Sequence, residues 1–257
     1  MLAKHGSRFG IAIAGGVLGA SLSLVSTVSL AGEPRAVLEL FTSQGCSSCP
    51  PADKLLGELA RDPSVIALSM PVDYWDYLGW KDTLADSRFT ARQRSYSRMR
   101  GEHEIYTPQV VVNGAAHTLG SDRDGIEQTI EETRKHSGVM TTPVSASIAN
   151  GQLNVSLPDE TSGTHRQGEV WVYGIAKSIP ITIGRGENRG EQITYHNVVR
   201  AWLKVGDWSG KAQTWNVPIE NVSRDGTDAA VVYVQDGTRD RPGVMLGATY
   251  LPLKDTQ

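Results

Sequence analysis

The chain alternates between short apolar runs and stretches of helical periodicity from residue 36 to residue 136. Apolar runs bounded by turn residues predict buried strands, and apolar residues three or four positions apart predict one face of a helix. The pattern indicates strand, helix, strand, helix, two strands joined by a turn at Asn113-Gly114, and a last helix. In chain order, the predicted elements are residues 36–41, 48–60, 65–70, 86–100, 109–112, 115–118 and 122–136.

The pattern changes after residue 138. Residues 141–143 indicate a linker, and the rest of the chain shows strand-like runs without a pattern of helical length. Asn150-Gly151 predicts a tight hairpin turn between the first two of these runs. Several short strands at such intervals are typical of a β-sandwich. The sequence therefore predicts an all-β, sandwich-like domain over residues 142–257.

The two cysteines of the chain, Cys46 and Cys49, lie between the first predicted strand and the first predicted helix. A Cys-x-x-Cys pair in this position is typical of a thioredoxin-like redox site. The N–H groups of a first helical turn lack intrahelical partners, and the helix dipole is positive there. We therefore expect a stabilised thiolate at Cys46, with Cys46 as the attacking thiol and Cys49 as the resolving thiol.

A proline, Pro108, stands just before the third predicted strand. Thioredoxin-like proteins hold a cis peptide bond at this point, beside the redox cysteines, and cis bonds are uncommon even before proline. We predict a cis Thr107–Pro108 bond whose neighbouring backbone pairs with a bound thiol substrate; the alternative is an ordinary proline at the start of a strand. Together with the order of elements, this predicts an α/β thioredoxin-like domain over residues 32–138.

Glu39 and the segment over residues 73–82 are further candidates for the site, and each has two interpretations. Glu39, a carboxyl in a buried strand, is a candidate to relay a proton to Cys49, unless strand alternation points it away toward a basic partner. The acidic and aromatic segment over residues 73–82 is either a substrate groove or a packed lid over the sheet edge. The tentative groove residues are Asp73, Tyr74, Trp75, Asp76 and Trp80.

Composition and the N-terminus bear on location. The chain has 257 residues and a net charge of -3, which favours neither nucleic acid nor an acidic membrane surface as partner. Residues 1–31 have a basic start and an uncharged stretch, which predict a signal peptide cleaved after Ala31. An uncleaved membrane anchor is the alternative. We predict a periplasmic or secreted protein, free of the membrane after cleavage, in a compartment where disulfides persist.

Five segments carry a resemblance to a known family. They are residues 39–53 (ELFTSQGCSSCPPAD), 72–82 (VDYWDYLGWKD), 106–114 (YTPQVVVNG), 186–190 (GENRG) and 196–200 (HNVVR). In these segments the chain resembles an exported bacterial, thioredoxin-like family of unknown function, DUF1223. The resemblance implies a thioredoxin-like domain followed by a β-rich domain in an exported protein, and it implies no substrate. Ser47 and Ser48 replace the Gly-Pro of ordinary thioredoxins. The resemblance therefore does not imply a general thioredoxin-type reductase activity.

The sequence predicts an exported thiol–disulfide oxidoreductase that acts, without a cofactor, on an unidentified thiol or disulfide protein or on a small thiol. The alternative is a periplasmic or secreted binding module in which the disulfide is structural or relict. A less favoured alternative is copper handling, in which His117 or His103 joins Cys46 and Cys49, because thiolates suit Cu(I).

Overall fold

The computed structural model of the chain describes residues 1–3, 33–161, 167–224 and 226–253. The predicted leader and its cleavage site at Ala31 lie outside the described residues, apart from residues 1–3. No helix in the described part of the chain combines the length and apolarity needed to cross a membrane. Its α-helices are α1 (Pro50–Leu59), α2 (Ser87–Met99) and α3 (Arg123–Thr133).

The described strands alternate with these helices in the first half and follow one another in the second. The predicted order of the first half, strand, helix, strand, helix, two strands and helix, is confirmed. The strands are β1 (Ala36–Thr42), β2 (Val65–Pro71), β3 (Gln109–Val112), β4 (Ala116–Leu119), β5 (Ser145–Ala149), β6 (Gln152–Leu157), β7 (Gly168–Thr182), β8 (Gln192–Trp208), β9 (Gln213–Pro218), β10 (Ala229–Thr238) and β11 (Arg241–Pro252).

Two sheets contain these strands. The larger sheet is mixed and has eight strands in the order β11-β10-β7-β8-β2-β1-β3-β4. The smaller sheet is antiparallel and has the order β5-β6-β9. In the larger sheet β1 runs parallel to β2, and β2 runs parallel to β8 through the single residue pair Ser69–Val198. The fold is therefore mixed α/β, with one large mixed sheet and one small antiparallel sheet.

The second half of the chain extends the sheet of the first half. β7, β8, β10 and β11 continue beyond β2, and the helices and strands all lie in one compact unit, Ala31–Gln257. The apolar runs at residues 169–176 and 179–182 belong to the single strand β7, which ends at Thr182. The boundary expected near residues 138–142 thus lies within one compact unit, and the independence of two domains stays a prediction.

Turn and capping residues explain the hairpin between β5 and β6 and the starts of α2 and α3. Asn150 and Gly151 both have positive φ, 53° and 72°, in the turn between β5 and β6, as a two-residue hairpin requires. The carboxylate of Asp86 accepts a hydrogen bond from Arg88 N and caps α2. The cap of α3 is Asp122, whose carboxylate accepts a hydrogen bond from Gly125 N.

Both faces of the larger sheet are buried, which explains the continuous apolar runs of its central strands. One face packs against α2. The opposite face is covered by α1 and α3 over the first half and by the small sheet over the second half. The core between the larger sheet and α2 includes Val37, Phe41, Phe89, Tyr173 and Val231. The core between this sheet and helices α1 and α3 includes Leu38, Leu40, Leu56 and Ile126, and the core between the two sheets includes Val155, Val172 and Val232.

A buried ion pair joins the two halves on the α2 face. Arg92 of α2 donates to both carboxylate oxygens of Glu39 on β1, at 2.8 and 3.1 Å, and both side chains are 1% exposed. Tyr96 OH and Tyr173 OH also donate to Glu39, at 2.6 and 3.1 Å. Arg92 further donates to Gln235 Oε1 of β10 at 3.0 Å. The network therefore connects β1 and α2 to β7 and β10.

We predict that Arg92→Met lowers the free energy of unfolding by roughly 3–5 kcal/mol, because Glu39 would stay buried without its cation. Arg123→Met is the matched control, since Arg123 and its partner Glu58 are 48% and 38% exposed. Exposed pairs contribute about 1 kcal/mol or less. Urea titration of both variants measures the two losses, and losses of equal size would contradict the role of the buried pair.

Candidate functional site

The two cysteines lie where β1 leads into α1. They form a disulfide with an S–S distance of 2.14 Å and a Cα–Cα distance of 5.4 Å. Cys49 is the N-cap residue of α1, and prolines follow at the first two helical positions, where a missing N–H removes no helical hydrogen bond. The predicted placement of the Cys-x-x-Cys pair at the start of a helix is confirmed.

The sulfur atoms are little exposed in this state. Cys46 is 2% exposed and Cys49 is fully buried, whereas Ser47 and Ser48 between them are exposed. Ser48 Oγ lies 3.5 Å from Cys46 Sγ, so its hydroxyl is placed to donate to a thiolate at Cys46 after reduction.

The predicted proline lies beside the first turn of α1. The Thr107–Pro108 peptide bond is cis, as expected. Gly120 marks how closely the segments approach, because a Cβ built on it would lie 3.1 Å from Pro108 Cβ and 3.2 Å from Ala52 Cβ. The structure therefore brings Pro108 next to the helix that begins at the cysteines.

Trp75 links the cysteine loop to the cis-proline segment. Its indole Nε1 donates to Thr107 Oγ1 at 2.8 Å. Its Cβ packs on the cysteine loop, since a Cβ added to Gly45 would lie 3.1 Å from it. Tyr77 stacks on the Trp75 ring at 6.4 Å between centroids and is 76% exposed. The exposed ring of Tyr77 therefore packs against Trp75, which contacts both the cysteine loop and the cis-proline segment.

Trp80 and Asn188 hold the cysteine loop from the other side. Trp80 Nε1 donates to Gln44 Oε1 at 2.7 Å, and the Trp80 ring packs against Gly184 in the connection between β7 and β8. Asn188, in the same connection, donates from Nδ2 to the carbonyl oxygens of Gln44 and Cys46, each at 2.9 Å. We call residues 184–190 the clamp loop, because it fixes the backbone immediately around Cys46.

The other residues of the expected groove are engaged in local contacts. Asp73 Oδ1 accepts from Thr90 Oγ1 of α2 at 2.6 Å, and Asp76 Oδ1 accepts from Asp82 N at 3.1 Å. Tyr74 packs against the α2-side core, and burial raises the pKa of Tyr74 to about 12. These contacts show that the three side chains are engaged within the protein. Both interpretations of the segment, a substrate groove and a packed lid, stay predictions.

Glu39 lies on the face of the sheet opposite α1. Strand alternation places Leu38 and Leu40 under α1 and Glu39 on the α2 face. Its carboxylate contacts Arg92 and tyrosines, and no contact joins it to Cys49. The alternation of side chains along β1 therefore points Glu39 toward a basic partner, Arg92, and away from the cysteines. This is the alternative to a proton relay to Cys49.

Asp53 is a buried carboxyl that the sequence reasoning missed. It lies one helical turn after Cys49 on α1, where Asp53 N donates to Cys49 O at 3.1 Å, and it is 2% exposed. Neither carboxylate oxygen makes a regular hydrogen bond within the described residues. Burial raises the pKa of Asp53 well above its usual value, the nearby Thr42 hydroxyl lowers it in part, and Asp82 raises it further. Asp53 is therefore a buried carboxyl one helical turn after Cys49, with a pKa raised above the ordinary value of an aspartate.

Signals for the missed residues were present in the sequence. Asp53 stands four positions after Cys49, so the two share one face of a helix. Asn188 belongs to the glycine-rich stretch at residues 184–190. Nothing in the pattern indicated that this connection reaches Cys46, because the contact joins residues 142 positions apart.

His117 lies near the cis-proline, and its ring contacts Tyr106 and Glu102 and not the cysteines. Its Nδ1 is 2.9 Å from Tyr106 OH, and its Nε2 is 3.0 Å from Glu102 Oε1. Within the described ranges, no three or more His, Cys, Asp and Glu side chains form a group that could hold a metal ion. The structure therefore does not bring His117 together with Cys46 and Cys49.

Comparisons with known proteins identify relatives. A family model described as "Protein of unknown function (DUF1223)" matches residues 37–235. A crystal structure of a protein from Agrobacterium tumefaciens is 31% identical, with a TM-score of 0.78, and the alignment covers 88% of this chain and 97% of that one. The superoxide reductase from Nanoarchaeum equitans is 8% identical over 46% of this chain and 96% of that chain, and its TM-score of 0.21 is too low to indicate a shared fold. No curated protein matches the chain.

We predict that Asn188→Ala lowers the free energy of unfolding by about 1–3 kcal/mol, because two buried carbonyl groups lose their donor. The same change should speed alkylation of Cys46 in the reduced protein by loosening the backbone around it. Glu187→Ala is the control, since Glu187 is an exposed residue of the same clamp loop. Alkylation followed by mass spectrometry measures both variants, and equal rates would contradict the clamp.

Proposed function

The chain belongs to the DUF1223 family of proteins of unknown function, and we propose that it is a thiol–disulfide oxidoreductase with a thioredoxin-like active site. The observation that carries the proposal is the disulfide at the start of α1 beside the cis Pro108 segment. The order of elements around it, β1-α1-β2-α2-β3-β4-α3, supports the thioredoxin-like assignment.

In the proposed reaction, the Cys46 thiolate attacks one sulfur of a substrate disulfide and displaces the other as a thiolate. Cys49 then attacks Cys46 in the mixed disulfide, which releases the second substrate thiolate and reforms the Cys46–Cys49 disulfide. Two electrons pass to the substrate, and the reverse sequence oxidises a dithiol. A separate dithiol or disulfide must restore the starting state of the pair in either direction.

We assign Asp53 the proton exchange with Cys49, and not Glu39. Cys49 must lose a proton to attack the mixed disulfide and must regain one when it leaves as a thiolate. A buried acid with a raised pKa is closer to a thiol in proton affinity than an ordinary carboxylate is. Asp53 lies one turn from Cys49 on the same helix, whereas Glu39 is held by Arg92 on the opposite face.

Substrate approach in this proposal involves the cis-proline segment and Tyr77. The backbone beside Thr107 is the expected partner of an extended substrate segment, and the exposed Tyr77 ring offers an apolar contact. The substrate is a protein disulfide or a small thiol compound. The predicted leader over residues 1–31 would bring this activity to the periplasm or the exterior, where disulfides persist.

A second candidate function is a binding module with a structural disulfide. The observation that favours it is the burial of the pair, since Cys46 is 2% exposed. In this alternative the clamp loop keeps the disulfide closed permanently. The two candidates differ in whether Cys46 reacts with an external disulfide in the folded protein.

The test is exchange between the reduced protein and a model peptide disulfide. We predict that the parent completes exchange and releases both peptide thiols, and that Cys49→Ser accumulates a mixed disulfide at Cys46. Cys46→Ser should lose exchange by at least about tenfold, because the attacking thiolate is the nucleophile. The mixed disulfide is measured by mass spectrometry.

Ser223→Cys, made in the Cys46→Ser, Cys49→Ser background, is a control for this assay. It adds one thiol at a position away from the start of α1. It should react no faster than an ordinary surface thiol. Failure of Cys49→Ser to form a mixed disulfide, in a protein that is folded by circular dichroism, would exclude the oxidoreductase and favour the binding module.

We predict that Asp53→Asn raises the free energy of unfolding at pH 7 and that this gain shrinks toward pH 4. At low pH Asp53 is protonated in the folded and unfolded chains alike. As pH rises, the unfolded chain loses the proton first, because burial raises the folded-state pKa of Asp53, and the parent is progressively destabilised. Urea titrations at the two pH values measure the difference.

The same Asp53→Asn variant should release peptide thiols from the mixed disulfide more slowly and with a changed pH profile. Glu58→Gln is the control, because Glu58 is a carboxyl of the same helix that is partly exposed and is paired with Arg123. A stability difference that is the same at both pH values would contradict the raised pKa of Asp53. An unchanged pH profile would contradict its role in proton exchange.

A further inference from the structure

The larger sheet opens between β2 and β8 on the side away from the cysteines. Ser69–Val198 is the residue pair that joins the two strands, and beyond it Asn197 Nδ2 donates to Ala67 O at 2.9 Å. Asn197 has a φ of 47°, a conformation uncommon outside glycine. The side chain of Asn197 thus replaces backbone pairing where β8 turns away from the start of β2.

A cleft of about 490 Å³ occupies this opening. Small-molecule sites are typically concave, of roughly 300–1,000 Å³, and mostly apolar with a few convergent polar groups. The cleft has that character, and its walls come from the start of β2, the end of α1 and the edge strand β11. The apolar wall residues are Pro34, Ala60, Pro63, Val65, Ile66 and Tyr250.

The polar residues of the cleft are mainly basic. Arg61, Lys177 and His196 line it, with Asp62 as the acid among the lining residues. Asp62 is already engaged, because it accepts from Ser64 N and Ser64 Oγ at 2.9 and 2.7 Å and pairs with an arginine outside the cleft.

The two long basic side chains of the cleft have no such partner. Arg61 and Lys177 are exposed and form no salt bridge within the part of the chain that the structure describes. Asp228 lies next to this group and accepts from the backbone N–H of Lys177 at 3.0 Å. Among the described residues, the cleft therefore combines an apolar wall with two cations that form no salt bridge, Arg61 and Lys177.

His196 is held at a fixed place in this wall. A Cβ added to Gly57 would lie 2.3 Å from His196 Cδ2, so the imidazole rests directly on the backbone of α1. Only glycine leaves room for the ring at this position. A second cleft of about 410 Å³ lies on its other side and shares Gly57, Arg61 and His196 with the first.

We propose that the cleft between β2 and β8 binds a small amphipathic carboxylate. The apolar body would lie against Val65, Ile66 and Tyr250, and the carboxylate would meet Arg61 and Lys177. The site stands apart from thiol chemistry, and the proposal does not depend on the oxidoreductase function.

The test is isothermal titration calorimetry of the full chain with decanoate, below the concentration at which it forms micelles. We expect one decanoate per chain, bound at least tenfold more tightly than decan-1-ol, which has the same apolar body without the charge. The double variant Arg61→Gln, Lys177→Gln should bind decanoate at least tenfold more weakly. Lys135→Gln, a change at an exposed position just after α3, should leave the affinity unchanged.

Thr249→Trp places a large ring in the cleft without altering its charge, and it should abolish binding. The Cys46→Ser, Cys49→Ser protein should bind decanoate as the parent does, which separates this site from the redox pair. Equal affinity for decanoate and decan-1-ol, or unchanged affinity in the double variant, would overturn the proposal. Should Thr249→Trp fail to fold, the double variant decides, because both of its positions are exposed.

Discussion

The buried pair between Glu39 and Arg92 is the interaction on which the rest of the structure depends. A fully desolvated ion pair is tolerated only when its hydrogen bonds are satisfied, and here two tyrosines and Gln235 complete the set. These partners come from β1, α2, β7 and β10, so the network fixes how the second half of the chain docks on the first. A shift of any one of these four elements would break hydrogen bonds to a buried charge.

That docking determines the candidate site. Once β7 and β8 are fixed beside β2, their connection returns over the end of β1, and Asn188 reaches the carbonyl groups around Cys46. The site is thus built by both halves: the cysteines, Pro108 and Trp75 come from the first, and the clamp loop from the second. The β-rich half contributes directly to the backbone geometry of the redox loop, and it explains why Cys46 is little exposed in the disulfide form.

Local chemistry was predictable from the sequence, and long-range placement was not. The helix start at Cys49, the cis Thr107–Pro108 bond and the two Asn-Gly turns follow from residue types at short spacing. The eight-stranded sheet does not, because strand periodicity does not state which strands pair, and four strands of the second half join the first sheet. Glu39 shows the same limit: its burial was evident, but its direction depended on which face Arg92 occupies.

The most direct test of the proposed function is the reduction potential of the Cys46–Cys49 pair, measured by equilibration with glutathione and thiol alkylation. The account predicts a value between about -120 and -270 mV, the range of proteins that exchange disulfides. A value below about -300 mV, as structural disulfides show, would contradict it. The pair would then be a fixed link beneath the clamp loop, and the protein would act through binding alone.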